Sequence, residues 1–252
     1  MKPYLILLFA CFMLASCQSK KTDEQTAADT TKTNVVATVA AQLSEKQIAD
    51  GWKLLFDGAS LNGWRFFQNK PNDSWEVVNG TLHCKPVKEN AENHRSDILT
   101  VDQYENFELA FEWKISPQGN SGVMYRVTEE FSQPYFSGPE YQVIDNEGYP
   151  GDLTPKQLSG ANYDMHDAPT AKPKAVGEWN ESRIVVNGNH VEHWLNGEKV
   201  VEYDLQSDDW KKRKAGSKWK DEKGYGMAIK GHIDFQDHDH EVWFKNIMIR
   251  QL

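Results

Sequence analysis

Cysteine is nearly absent from this chain, and so is any long apolar run. Three cysteines stand in 252 residues. Cys11 and Cys17 belong to the N-terminal segment, so Cys84 remains alone and no intrachain disulfide is expected. The apolar run from Tyr4 to Met13 is too short for a comfortable membrane span. No helical period of useful length follows Asp50. A basic excess is missing too. Lys+Arg is 28 against Asp+Glu 37, a net charge of -9, which argues against nucleic acid as a partner. The one basic run, Lys211-Lys212-Arg213-Lys214 between Trp210 and Trp219, reads as a solvated surface loop. A Gly-x-Ser-x-Gly elbow, a P-loop and a dinucleotide fingerprint are all lacking.

What is present begins with a leader. Lys2, the apolar run and Leu14-Ala15-Ser16-Cys17 read as a signal peptide over residues 1–16 that ends in a lipobox. Cleavage before Cys17 leaves a lipidated cysteine, so the expected product is a bacterial lipoprotein anchored by acyl chains in the cell envelope, periplasmic or on the outer-membrane surface. Residues 17–43 are the lipidated Cys17 and a polar, aperiodic tether. Ser44-Glu45-Lys46-Gln47 is a capping-box pattern, so a short helix is expected to reach about Asp50. Residues 44–252 form the folded domain.

From Gly51 the chain reads as strands. Trp75 to Cys84 is a hairpin turned at Asn79-Gly80. Phe107, Leu109, Phe111, Trp113 and Ile115 alternate onto one face. Gly122–Thr128, Glu140–Asp145, Arg183–Val186, His190–Leu195, Glu198–Tyr203, Met227–Phe235 and Glu241–Arg250 follow. About a dozen strands with frequent turn signals predict an all-β sandwich of two antiparallel sheets. Longer loops at about 146–181 and 204–226 are where such a fold builds its site. Cys84 alternates within a strand and reads as a small buried residue, not a nucleophile.

Three segments place polar groups inside runs that otherwise look like buried sheet: Asn120 to Arg126, Glu140 to Asp145, and Phe235 to His238. Unpaired burial of such groups costs several kcal/mol. It is tolerated when they pair or line a wet cleft, and a polar cleft on a sheet face suits a sugar. Arg126, framed by Ser121 and Tyr125, is a planar donor for sugar hydroxyls or a carbonyl, with an ion pair to Glu129 or Glu130 as the alternative. Glu140 and Gln142 share a face, whereas Asp145 has the opposite parity. Lys172 either points at substrate or is a solvated loop lysine. The run Gln236-Asp237-His238-Asp239-His240 suggests a divalent cation at first sight, but no helix-borne or cysteine-rich ligand set supports it. Trp64, Trp113, Trp179 and Trp194 offer rings for stacking on sugars, although most tryptophans in a sandwich are core.

A series of motifs then falls into order: Leu55-Phe56-Asp57-Gly58, Leu61-Asn62-Gly63-Trp64, Asn120-Ser121-Gly122, Glu140-Tyr141-Gln142-Val143, Gly177-Glu178-Trp179-Asn180, His193-Trp194-Leu195-Asn196-Gly197 and Phe244-Lys245-Asn246-Ile247. This ordered set, over about residues 51–252, resembles the 3-keto-disaccharide hydrolase family. The resemblance implies a concanavalin A-like jelly roll and cleavage of glycosides whose ring carries a ketone at carbon 3. It implies that Gln236 and His238 line the cleft, and it places His193 in a family-like turn and Tyr163-Asp164 beside the cleft. His240 stands where the family has a small or apolar residue. On this reading, proton abstraction at carbon 2, elimination and hydration would use Glu140 or His238 as the base and Arg126 with Gln142 as the donors; direct hydrolysis by two carboxylates stays open, and a noncatalytic carbohydrate-binding lipoprotein is the rival. Arg126, Glu140, Gln142 and His238 should then each lie within about 10 Å of another on the concave sheet face.

Overall fold

The computed structural model describes residues 41–88 and 94–252. The expected leader, Cys17 and the tether up to residue 40 lie outside the described residues. The chain opens with helix α1 (Glu45–Ala49), whose Ser44 and Gln47 form the expected reciprocal cap. Thirteen strands follow: β1 (Lys53–Leu54), β2 (Trp64–Phe66), β3 (Trp75–Val78), β4 (Thr81–Cys84), β5 (Ile98–Thr100), β6 (Phe107–Ile115), β7 (Asn120–Val127), β8 (Glu140–Ile144), β9 (Asn180–Asn187), β10 (His190–Leu195), β11 (Glu198–Asp204), β12 (His232–Phe235) and β13 (Val242–Gln251).

They form two antiparallel sheets, as expected for the jelly-roll sandwich. The larger has eight strands in the order β11-β10-β9-β6-β13-β4-β3, with β1 also on β13. The smaller has five, β2-β5-β12-β7-β8. Sequence period 2 explains the core. Phe107, Leu109, Phe111, Trp113 and Ile115 are all buried on one face of β6. Across from them, Ile98, Phe235, Val123 and Tyr141 are register partners on the inner face of the small sheet. Phe111 meets Phe235 edge-on at 6.0 Å and Tyr141 at 5.6 Å, while Phe235 meets Phe244 at 4.7 Å. Each such ring stabilises the fold by roughly 1.5–3 kcal/mol through burial. Cys84 is buried in β4 with its thiol pushed up by burial, in keeping with a structural role.

The same period governs the opposite, outward face of the small sheet. Leu99, Asp234, Met124 and Glu140 stand in one cross-strand row. The next row contains Gln236, Gly122 and Gln142, because the Gln236 amide donates to Gly122 and Gly122 pairs with Gln142. The inner face is therefore oil and the outer face is mixed.

Two expectations change. The run from Asp208 to Ala215 is a helix, α2, capped by Ser207. Its basic residues complement the helix C-terminus. Only Trp210 is buried within it, so no apolar stripe at 3.6 spacing announces it. The strand expected from Met227 begins only at His232. Met227 and Ile229 are exposed turn residues instead.

Candidate functional site

A cavity of about 310 Å³ opens on the outward face of the small sheet. Glu140 and Gln142 of β8, Asn120 of β7 and Gln236 just after β12 form its sheet side. Tyr135, Phe136, Tyr163, Lys218 and Trp219 come from the loops above, and His238 stands exposed at the rim. The loop walls are pinned together. The Trp219 indole donates to the Tyr163 carbonyl at 3.0 Å, and the Lys218 amide donates to the Asp164 carboxylate at 2.7 Å. The Lys218 ammonium lies 3.9 Å from the Tyr163 ring centre and 4.3 Å from that of Trp219. Desolvation there lowers its proton affinity, partly offset by Glu140 and Asp164.

Glu140 is 4% exposed, and its carboxylate has no hydrogen bond or ion pair among the described residues. Burial pushes its pKa up to about 8; the nearby Lys218 opposes that rise and Asp97 adds to it. Its position depends on Gly122. A Cβ there would lie 2.3 Å from Glu140 Oε1, so only glycine leaves the carboxylate its place. Beside it, Gln142 Oε1 accepts from the Val143 amide at 3.0 Å, while its Nε2 has no partner among the described residues. Asn120 Oδ1 and Gln236 Oε1 are buried without partners as well. Native interiors leave few such groups, and they gather where a ligand or water supplies the missing bond.

One pair in this sheet escaped the sequence reading. Asp234 is 0% exposed, and neither of its oxygens has a hydrogen-bond partner of ordinary geometry. Burial raises its pKa far above the carboxylate range, and Asp97 adds to the rise. Asp97 is raised by burial too, despite accepting the Asp237 amide at 2.8 Å. The signal was available: in His232-Ile-Asp-Phe235, Asp234 has the outward parity. Lys218 carried no signal, since a lysine between Ser217 and Trp219 looks like any loop lysine.

Several expected site residues lie elsewhere. Arg126 does not reach the cavity. A bulge between the pairs His232–Val127 and Asp234–Met124 gives Arg126 a left-handed φ of 55° and breaks its parity. Its guanidinium donates to the carbonyls of Glu105 and Gly188, at 2.8 and 2.7 Å, and ties two loops together. It makes no ion pair with Glu129, which pairs instead with Arg65. Ser121 faces inward and donates to the Gln236 carbonyl at 2.8 Å. His193 is fully buried between the sheets, bonded to Gly160 O at 3.0 Å and Tyr125 OH at 2.9 Å. Burial lowers its pKa to about 3, so it stays neutral and serves packing. Asp145 organises a turn by accepting the amides of Gln118, Glu147 and Gly148. It borders a second groove of about 790 Å³, together with Lys174 and Glu178. Lys172 is exposed in the segment beside that groove, and its carbonyl accepts from Asn196. That groove is larger, but it lacks the unpartnered buried groups of the smaller one.

The acids of the 236–240 turn are also accounted for. Arg95 holds Asp237 at 3.0 Å and Asp239 at 2.9 Å. His238 and His240 stack at 5.7 Å. Among the described residues, only His190, Glu192 and Glu202 bring three metal-capable atoms within 4.8 Å of one another. That cluster lies on the edge of the large sheet, and Lys199 already pairs with both glutamates.

A relative from Bacteroides thetaiotaomicron named 3-keto-disaccharide hydrolase is 31% identical, over 98% of this chain and 97% of its own length. Two crystal structures from Parabacteroides distasonis, each provisionally described as a glycosyl hydrolase, are similar in fold. One has 38% identity and a TM-score of 0.78, covering 84% of this chain and 99% of the other. The second has 31% identity and a TM-score of 0.60, covering 80% and 99%. The family model for the 3-keto-alpha-glucoside-1,2-lyase-like domain matches residues 51–250, and the chain belongs to that family.

Proposed function

We propose that the cleft cleaves glycosides whose ring carries a ketone at carbon 3, by proton abstraction, elimination and hydration. The ketone acidifies the hydrogen on carbon 2. A base removes it, and the electrons form an enolate on carbons 2 and 3. Collapse of the enolate re-forms the ketone, makes a double bond between carbons 1 and 2, and expels the oxygen on carbon 1, which takes a proton. Water then adds its oxygen to carbon 1 and a proton to carbon 2, so the sum is hydrolysis.

The observation that carries this reading is a buried carboxyl without a hydrogen bond or ion pair among the described residues, beside the Gln142 amide nitrogen, a donor that lacks an acceptor. Glu140 is the base, and its pKa of about 8 matches it to a weak carbon acid. Gln142 Nε2 and the Lys218 ammonium take over the donor role expected of Arg126, and stabilise charge on the ketone oxygen as it develops. His238 at the rim is placed to exchange protons with solvent or with the departing oxygen. Trp219 and Tyr163 offer aromatic walls to a sugar ring.

Purified protein incubated with a 3-keto-glucoside should release the aglycone. Its kcat/KM should rise with pH through about 8, because Glu140 must lose its proton to act. A profile that falls through that range would make Glu140 an acid and favour direct hydrolysis. Binding without release would leave a noncatalytic carbohydrate-binding protein.

We also propose that the protein is anchored in the cell envelope through Cys17. The lipobox sequence Leu14-Ala15-Ser16-Cys17 supports this. Cys17→Ser should abolish labelling by a fatty-acid probe, and unchanged labelling would exclude Cys17 as the anchor.

A further inference from the structure

The outward row Leu99–Asp234–Met124–Glu140 puts two acids in one line of the small sheet, separated by a single strand. Asp97 precedes β5 with the same outward parity as Leu99, so it lies diagonally beside Asp234. Three carboxyls thus meet on one sheet face. Asp234 is fully buried and, among the described residues, forms no ion pair; the one side chain within hydrogen-bonding reach of its carboxyl is that of Asp97. A fully buried carboxylate and a partly buried one beside it are costly to ionise together without a cation between them.

The surroundings supply little countercharge. Asp97 faces Lys70 and Asp237, and the charge of Asp237 is already taken by Arg95. On the other side of Asp234 stand Glu140 and Glu129, the latter paired with Arg65. Glu140 itself faces Lys218, His238 and Glu222 across the cavity.

We propose that Asp97 and Asp234 share one proton and one negative charge, and that this charge, held in the sheet beside Glu140, governs when Glu140 gains and loses its own proton. The pair are positioning residues: they act on substrate only through Glu140. A negative neighbour makes Glu140 a stronger base once it is ionised and shifts its ionisation to higher pH. The proposal rests on Glu140 as the reacting carboxyl, but its test does not need turnover.

Protein with carbon-13 at the glutamate and aspartate side-chain carboxyls would be titrated by NMR without substrate. The Glu140 signal is the one lost in Glu140→Gln, and the Asp234 signal the one lost in Asp234→Asn. In the wild type, Asp234 should stay protonated at neutral pH, because burial and the neighbouring Asp97 both raise its pKa; an ionised Asp234 at neutral pH overturns the proposal. Asp97→Asn keeps an oxygen for the Asp237 amide and removes the shared charge. The Glu140 midpoint should then move down by about half a pH unit or more. Asp234→Asn should leave that midpoint nearly in place, since Asp97 then carries the charge alone. A native-like Asp97→Asn with an unmoved Glu140 midpoint also overturns the proposal. If Asp97→Asn does not fold, the wild-type Asp234 titration still decides. The acid limb of kcat/KM should follow the NMR midpoint in each variant. Absence of aglycone release would sink the catalytic reading and leave the titration result standing.

Discussion

The outward faces of the two sheets treat their charged residues in opposite ways. On the large sheet, charges are closed off. Glu108 is gripped by Arg183 at 2.7 Å and by Arg250. Glu112 takes Lys245 at 3.2 Å and Asn246 at 2.6 Å. His83 lies between Glu76 and Glu241 and stacks on Trp243. The cations also cover the tryptophans: Arg183 sits 4.1 Å from the Trp194 ring centre and Lys245 4.2 Å from that of Trp179. On the small sheet, Gln142, Gln236 and Asn120 keep buried atoms without a partner among the described residues, and the Glu140 and Asp234 carboxyls have no cation paired with them there. A face that satisfies itself is finished, and one that does not is waiting for something. This is why the rings of Trp179 and Trp194 read better as packing than as sugar platforms.

That contrast can be broken most sharply at Glu140. Glu140→Gln should cut turnover by about 10²-fold or more, as for removal of a group that acts in the transition state. It should also stabilise the fold. Glu140 titrates near 8 when folded, against an ordinary value of 4.5. The folded form therefore holds a proton that the unfolded chain gives up. Its favourable contribution is fully present below the ordinary value and is lost as pH rises through about 8. Replacing the group by an amide should leave a variant several degrees more stable at pH 8 and little changed at pH 4, measured by thermal melts. Full activity in that variant would move the role of base to His238.

The opposite signature is expected at Arg126. Its side chain is buried and its two carbonyl contacts are partly so, so Arg126→Ala should cost about 1–3 kcal/mol of stability. In whatever fraction stays folded, kcat should hardly change. A large kinetic loss at unchanged stability would mean that the guanidinium reaches the substrate after all.

The smallest effect belongs to the large sheet. Lys245→Ala removes a partly exposed ion pair and a ring contact, together worth about 1 kcal/mol or less. Aglycone release should be untouched. A kinetic effect there would show that the closed face takes part in function.

How much of this was legible in the sequence differs by level. Strands with clean alternation, such as Phe107 to Ile115, were readable because one face is fully apolar. The Asn79-Gly80 hairpin was readable because both residues take left-handed φ, 50° and 76°. Glu140, Gln142, Gln236 and His238 converge as expected, since parity and motif order survive folding. Arg126 was misplaced because a bulge, invisible in composition, reset its parity. His193 was misplaced because a buried histidine satisfied by one tyrosine and one carbonyl looks, in sequence, like a ligand. Asp97 was missed because it stands just before a three-residue strand with no pattern of its own.

The central claim is that Glu140 takes the hydrogen from carbon 2. Reaction of a 3-keto-glucoside in heavy water tests it, with the released sugar examined by NMR or mass spectrometry and free product incubated alone as the exchange control. Elimination and hydration require one deuterium at carbon 2 of the sugar in every turnover, above the control. Product formed at full rate with only hydrogen at carbon 2 would contradict the account.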